Sequence, residues 1–179
     1  MPASTVLESQ AADTVLVRKA MDGDRAAFGE LYERHKRMVH GILMAHVPYS
    51  EVEDLMQSVF MQAMESLPRL RDAEAFGGWL AAIARNLAFD HHRRRKDLVE
   101  INEFNGGSTH GKESEMALDA IRRLPEAYRE TLMLRFVEGM TGPEIAARTN
   151  LTPDSVRVNL CRGIKLLRAE LGGRTEHGR

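Results

Sequence analysis

Apolar side chains recur along this chain at steps of three and four residues, and nowhere is there a sustained two-residue alternation; the pattern predicts helices and no sheet. Val15, Leu16, Val17, Ala20 and Met21 open the first helix behind Thr14, and Gly23 ends it. Residues 1–13 before it are expected to be a disordered leader. Asp24 is a cap for the second helix, whose stripe is Phe28, Leu31, Tyr32, His35, Met38, Val39, Ile42 and Leu43, and Pro48 closes it. Ser50 with Glu53 fits a capping box for a third helix with Val52, Leu55, Met56, Val59, Phe60, Ala63, Met64 and Leu67 inside, stopped by Pro68. After a loop at 69–76, a fourth helix is predicted from about Gly78 to Lys96, with Trp79, Leu80, Ile83, Ala84, Leu87 and Ala88 on its core side.

Periodicity then fails. Residues 98–113 hold three glycines, few apolar side chains and mostly acidic charge, the composition of a flexible linker. Extended, those residues reach roughly 53–58 Å, about one and a half turns of B-DNA at ~34–36 Å per turn. Helical spacing resumes at Met116, Leu118, Ile121 and Leu124, restarts after Pro125 with Ala127, Tyr128, Leu132, Leu134 and Phe136, and halts at Gly139. The fold class expected is therefore all-α: two small helical bundles, at 14–97 and 114–171, joined by the acidic linker, with a loose tail at 172–179.

The second bundle ends in TGPEIAARTNLTPDSVRVNLCRGIKLLRAEL, residues 141–171. Thr141 and Glu144 fit a capping box, Asn150 suits a left-handed helix stop, and Thr152-Pro153 supplies a hydroxyl cap with a proline where the missing N–H costs nothing. Val156, Leu160, Ile164, Leu167 and Leu171 then form a buried stripe, leaving Arg157, Asn159, Arg162, Lys165 and Arg168 on the outer face. A short helix, a tight turn and a second helix with cations and an amide outside match a helix-turn-helix able to enter a DNA major groove. An ordinary helical hairpin with solvated charges fits the same pattern.

The net charge of −1 over 179 residues excludes a uniformly basic nucleic-acid coat but hides sorting. Residues 85–96 carry Arg85, Arg93, Arg94, Arg95 and Lys96 against Asp90, whereas 97–115 carry five acids against Lys112. Cys161 is the sole cysteine, so neither an intramolecular disulfide nor a cysteine zinc site is available, and cytoplasmic residence is the expectation. No apolar run is long enough to span a bilayer, and the first residues lack the form of a signal peptide. Asp90-His91-His92 spells a phosphoesterase signature, but inside a basic helix with no strands around it. His35, His40 and His46 lack the i, i+4 spacing of a helical metal pair. No catalytic residues, metal or cofactor are expected.

Three stretches, in order, give the chain a family likeness: EDLMQSVFMQAMESL, FGGWLAAIARNLAFDHHRRRK, and LPEAYRETLMLRFVEGMTGPEIAARTNLTPDSVRVNLCRGIKLLRAEL. Together they resemble a bacterial RNA polymerase sigma factor of the extracytoplasmic-function (ECF) group, sigma-70 family, over nearly all of residues 14–171. The resemblance implies that Asp54, Gln57 and Met61 pack on the clamp helices of the largest subunit of core polymerase. It places Asn86 where the family reads an extruded −10 base, in a stretch where Arg85, Arg93, Arg94 and Lys96, with Asp90 among them, meet promoter DNA. Arg157, Asn159 and Arg162 would face the −35 major groove, with Lys165 and Arg168 on phosphates. An inhibitory anti-sigma partner or another cytosolic control is implied too, with neither a small-molecule substrate nor membrane insertion.

The chain departs from the family pattern at Ser58, usually an acid, at Gly142, usually aromatic, and at Val158, Asn159 and Gly163. Gly163 in particular is expected to loosen the recognition helix by up to about 1 kcal/mol relative to alanine. Two rival readings are a stand-alone helix-turn-helix regulator with a dimerising or sensing N-terminal half, and a metal-dependent phosphoesterase built on Asp90-His91-His92.

Overall fold

The computed structural model describes residues 3–98 and 112–175. Eight α-helices and two short 3-10 turns make up its regular structure. The helices are α1 Ala3–Met21, α2 Arg25–His46, α3 Tyr49–Ser66, α4 Phe76–Leu98, α5 Lys112–Arg123, α6 Glu126–Phe136, α7 Gly142–Thr149 and α8 Pro153–Thr175.

Local signals explain most of the boundaries. Gly23 takes φ +95°, a left-handed stop after α1 that suits glycine. Asp24 Oδ1 then accepts from the backbone N–H of Ala26 and Ala27 at 2.9 and 3.1 Å, starting α2. Two expectations give way. Instead of a disordered leader at 1–13, the helix begins at Ala3; ASTVLESQAADTVLVRKAM contains neither glycine nor proline, so nothing interrupts it. The Ser50–Glu53 capping box does not form. Pro48 is already the N-cap of α3, with no side-chain hydrogen bond, which leaves Ser50 inside the helix. The expected linker at 98–113 lies, from 99 to 111, outside the described residues. At the other end α8 runs past the expected limit of 171 to Thr175.

Both bundles are present, and they are pressed together. One buried cluster runs from Val17 on α1 through Leu31, Ile42, Phe60 and Leu80 to Leu134, Ile145 and Val156. The centre of the contact is α6. The sequence predicts one apolar stripe for this helix, but Glu130, Thr131, Leu132, Met133 and Leu134 are buried in succession, while Ala127 and Phe136 are exposed. The reason is that α6 is covered by α8 on one flank and α2 on another, so two faces go inside where a surface helix needs one.

Close approach depends on small residues. A Cβ on Gly41 of α2 would lie 2.7 Å from Leu134 Cδ2, and one on Gly78 of α4 would lie 2.7 Å from Asn150 Cβ. The last carbonyls of α2, which no residue of that helix can satisfy, are met from the second bundle. Arg122 Nε donates to Met44 O at 3.1 Å, and Arg129 Nη1 donates to Ala45 O at 3.3 Å. Their charge also suits the negative end of the helix.

Candidate nucleic-acid interface

The helix-turn-helix forms as its sequence predicts. Thr141 Oγ1 accepts from Glu144 N at 3.4 Å while Glu144 Oε2 accepts from Thr141 N at 2.7 Å, a complete capping box. Asn150 ends α7 with φ 61° and ψ 25°. Thr152 Oγ1 accepts from Ser155 N at 3.1 Å at the start of α8. Ile145 and Val156 are buried between the two helices. On the outside, Arg157, Arg162, Lys165 and Arg168 are all exposed. Arg157 lies 3.3 Å from Asp154, one turn away and equally open to water. Asn159 stands apart: it is half-buried and its Nδ2 donates to Thr131 Oγ1 at 3.4 Å. Val158, one of the departures, is 39% exposed.

Gly163 has a different role from the expected loosening. It is buried, and a Cβ there would sit 3.0 Å from Leu132 Cδ1 and 3.1 Å from Tyr128 Cβ. The glycine lets α8 lie against α6.

On α4, residues Asn86, Phe89, Arg93 and Arg94 are exposed, and Arg93 is paired with Asp90 at 2.8 Å. The side chain of Lys96 lies outside the described residues. Arg85 faces the second bundle. Its Nε donates to Glu130 Oε2 at 2.8 Å and its Nη2 to Glu130 Oε1 at 2.6 Å, a two-pronged pair across the two bundles. His46 Nε2 is 3.6 Å from the same carboxylate. Burial alone would push the Glu130 carboxyl up, but Arg85 and His46 outweigh it and hold it below the ordinary range.

Neither Glu130 nor its relatives at the contact were legible as site residues. His40 Nδ1 pairs with Glu138 at 2.5 Å, which raises the imidazole pKa, and Arg148 donates to the carbonyl of Arg34. His35, by contrast, is pushed down by burial, despite its 3.0 Å bond to Asp13 on α1. The signal available was the three histidines of α2 together with carboxylates inside the apolar run of the second bundle. Spacing along one helix cannot say that they meet.

The triplet Asp90-His91-His92 is split by helix geometry. Asp90 pairs with Arg93, His91 lies 3.5 Å from Glu51, and His92 is exposed. Among the described residues no group of three His, Cys, Asp or Glu side chains is placed to hold a metal.

The third surface is on α3. Val59, Phe60 and Ala63 are buried, and Asp54, Gln57 and Met61 are exposed on the other side. Met61 is 61% exposed and Met64 53%, a large apolar display for a helix that meets only water. Ser58 Oγ donates to the Asp54 carbonyl at 3.0 Å, so it spends its hydroxyl on its own helix.

A helix bearing exposed methionines, a basic helix and a helix-turn-helix thus follow one another. The family model described as sigma-70 region 2 matches residues 31–97, and the one described as sigma-70, region 4 matches residues 114–167. RNA polymerase sigma factor CarQ of Myxococcus xanthus is 33% identical over 161 residues, spanning 84% of this chain and 92% of its own length. The chain belongs to the ECF group of the sigma-70 family of RNA polymerase sigma factors. The ECF RNA polymerase sigma-E factor of Escherichia coli (strain K12) is a second such relative, 30% identical over 176 residues, 87% of this chain and 92% of that one. Like them, this sigma factor acts with core RNA polymerase to direct transcription from promoter DNA. That assignment disfavours a stand-alone regulator.

Solved structures agree on the architecture. The structure of CnrH in complex with the cytosolic domain of CnrY superposes with a TM-score of 0.64 at 27% identity, covering 90% of this chain and 98% of that one. The sigma factor RpoE in complex with the anti-sigma factor NepR from Bartonella quintana shares the fold at a TM-score of 0.54 and 18% identity, covering 84% and 99%. No helix among the described residues is long and apolar enough to cross a membrane.

Proposed function

We propose that the sigma factor divides initiation among its three exposed surfaces. The α3 face, with Asp54, Gln57 and Met61, docks on the clamp helices of the largest polymerase subunit. Asn86 on α4 reads an unstacked −10 base, which needs a polar edge and a pocket to hold it out of the stack. Arg85, Arg93, Arg94 and Lys96 grip the neighbouring phosphates, with Asp90 orienting Arg93. On α8, Arg157, Asn159 and Arg162 read the −35 major groove, arginine suiting guanine and asparagine adenine, while Lys165 and Arg168 hold the backbone.

The observation that carries this reading is the helix-turn-helix, whose capping box, left-handed Asn150 and exposed cations present α8 to a groove. The protein works in the cytoplasm and contributes no catalytic group of its own. An anti-sigma partner is its control, as for Bartonella RpoE, whose structure contains one.

The test uses the full chain with bacterial core polymerase. Asn86→Ala is expected to impair promoter melting and spare core binding; Asp54→Ala with Gln57→Ala is expected to do the reverse. Loss of duplex affinity alone in both variants would refute the division of labour.

A further inference from the structure

The outward side of α8 is not uniformly polar. With about 100° between successive residues of a helix, Val158 stands about 160° around the axis from Val156 and about 140° from Gly163, both of which are buried against the rest of the bundle. Val158 therefore occupies the crest of the exposed face, and it is 39% exposed there. Arg157, Arg162 and Lys165 are exposed around it. Cys161, one turn further on and also exposed, is small enough to leave the valine prominent. Water gives no reason for valine at this place: its branched Cβ makes it a poorer helix former than the straight-chain residues, and its side chain forms no hydrogen bond. Its position sets it apart from a stray surface valine. It lies in the first two turns of α8, and the N-terminal residues of a recognition helix are the ones that meet base edges. The cations draw a polyanion to this face, and the side chain at its crest is apolar.

In the major groove thymine alone offers an apolar group, its 5-methyl; guanine, cytosine and adenine present only donors and acceptors, which a valine would strip of water without replacing. We infer that Val158 is a specificity residue of α8 that reads a thymine methyl in the −35 element. The inference deepens the assignment of α8 to the −35 major groove and rests on it. It also restricts the element. Cβ atoms four residues apart on one helix face are roughly 5–6 Å from each other, and base pairs rise by about 3.4 Å, so the base reached by Arg162 lies one or two base pairs from the one reached by Val158. Arginine suits guanine. The element therefore carries a thymine, on either strand, one or two base pairs from a guanine.

The experiment uses holoenzyme formed from the full chain and bacterial core polymerase. A promoter duplex pool randomised over the −35 region is selected for binding. The selected duplex is then rebuilt with deoxyuridine in place of the thymine, which removes the methyl and nothing else. Selection by the wild type is expected to yield a thymine beside a guanine at the spacing given above, and selection by Val158→Ser to keep the guanine and lose the thymine. In fluorescence anisotropy the wild type is expected to bind the deoxyuridine duplex about fourfold more weakly, the worth of burying one methyl-sized group, and V158S to bind the two duplexes within about twofold of each other. Because the side chain is exposed, V158S is expected to fold and to be captured by core polymerase as the wild type is. Equal binding of both duplexes by the wild type overturns the inference. So does an equal loss in both proteins, which would put the methyl against another side chain, and so does a selection in which no thymine emerges beside the guanine. Arg162→Ala keeps the failures apart. If R162A erases the guanine while deoxyuridine costs the wild type nothing, the methyl contact is wrong and α8 still reads the groove. If R162A changes neither selection nor affinity, α8 is not the reading helix, and the inference falls with that assignment.

Discussion

The two helices proposed to face DNA, α4 and α8, carry similar charge and treat it differently. On α8 the cations stand in water, and the partner of Arg157 is an exposed aspartate one turn away, a contact that salt screens. On α4 Arg85 is half-buried and gripped through both oxygens by a residue 45 positions further along the chain. The difference lies in what covers each helix. Through its half-buried stripe α8 packs on its own bundle alone, whereas α4 also lies under α7. A basic sequence thus marks a surface that binds anions, while the packing around it decides whether that surface is vacant.

The severest way to break the comparison is to remove the support of one helix only. Leu132 is fully buried beneath α8, and Leu132→Ala is expected to cost about 2–5 kcal/mol in urea denaturation of the second bundle. Duplex binding is expected to vanish while capture by core polymerase through α3 persists; loss of both would mean that the bundles do not fold as separable units. Arg162→Ala sharpens the contrast from the other side. Its side chain is exposed, so stability is expected to move by no more than about 0.5 kcal/mol. Discrimination between −35 sequences, read by fluorescence anisotropy on two duplexes, is expected to fall by about 1–3 kcal/mol.

A smaller effect attends Gly163→Ala. Alanine is worth about 1 kcal/mol more than glycine within a helix, but overpacking costs about 1–3 kcal/mol. With Leu132 and Tyr128 both within 3.1 Å of the added carbon, the net expectation is a loss of about 1 kcal/mol; a gain in the denaturation midpoint would contradict it. The smallest effect is a pH dependence at the contact between the bundles. Glu138 raises the pKa of His40, so the stabilisation from this pair is complete below the ordinary imidazole value of about 6.5 and fades as pH rises through the raised one. His35, lowered by burial, works oppositely, costing stability as pH falls below about 6.5. The comparison of wild type with His40→Gln isolates the first term. The stability difference between them is expected to shrink from pH 6 to pH 8.5, and a constant difference would remove His40 from the account.

What could be read from the chain follows the range of the interaction. Asp24, Thr141, Glu144, Asn150 and Thr152 were legible because each acts on backbone within a few residues of itself. The outward sets on α3 and α8 were legible because helical period separates faces. Ser50 misled, since a capping signal cannot show that the proline two positions earlier has already started the helix. Glu130 and Glu138 were illegible for a firmer reason. Their partners, Arg85 and His40, are set by how one bundle lies on another, and neither propensity nor spacing carries that information. Gly163 was read as a defect in a helix, when its function is visible only from the neighbouring one.

The end of α2 has a consequence in time. Most helices finish with groups supplied nearby, but two carbonyls here await arginines 78 and 84 residues downstream. While the protein is being synthesised, α2 leaves the ribosome long before Arg122 and Arg129 exist. The first bundle must therefore pass through a stage in which Met44 and Ala45 turn their oxygens to water, and its final turn acquires its finished form only when the second half of the chain has been made.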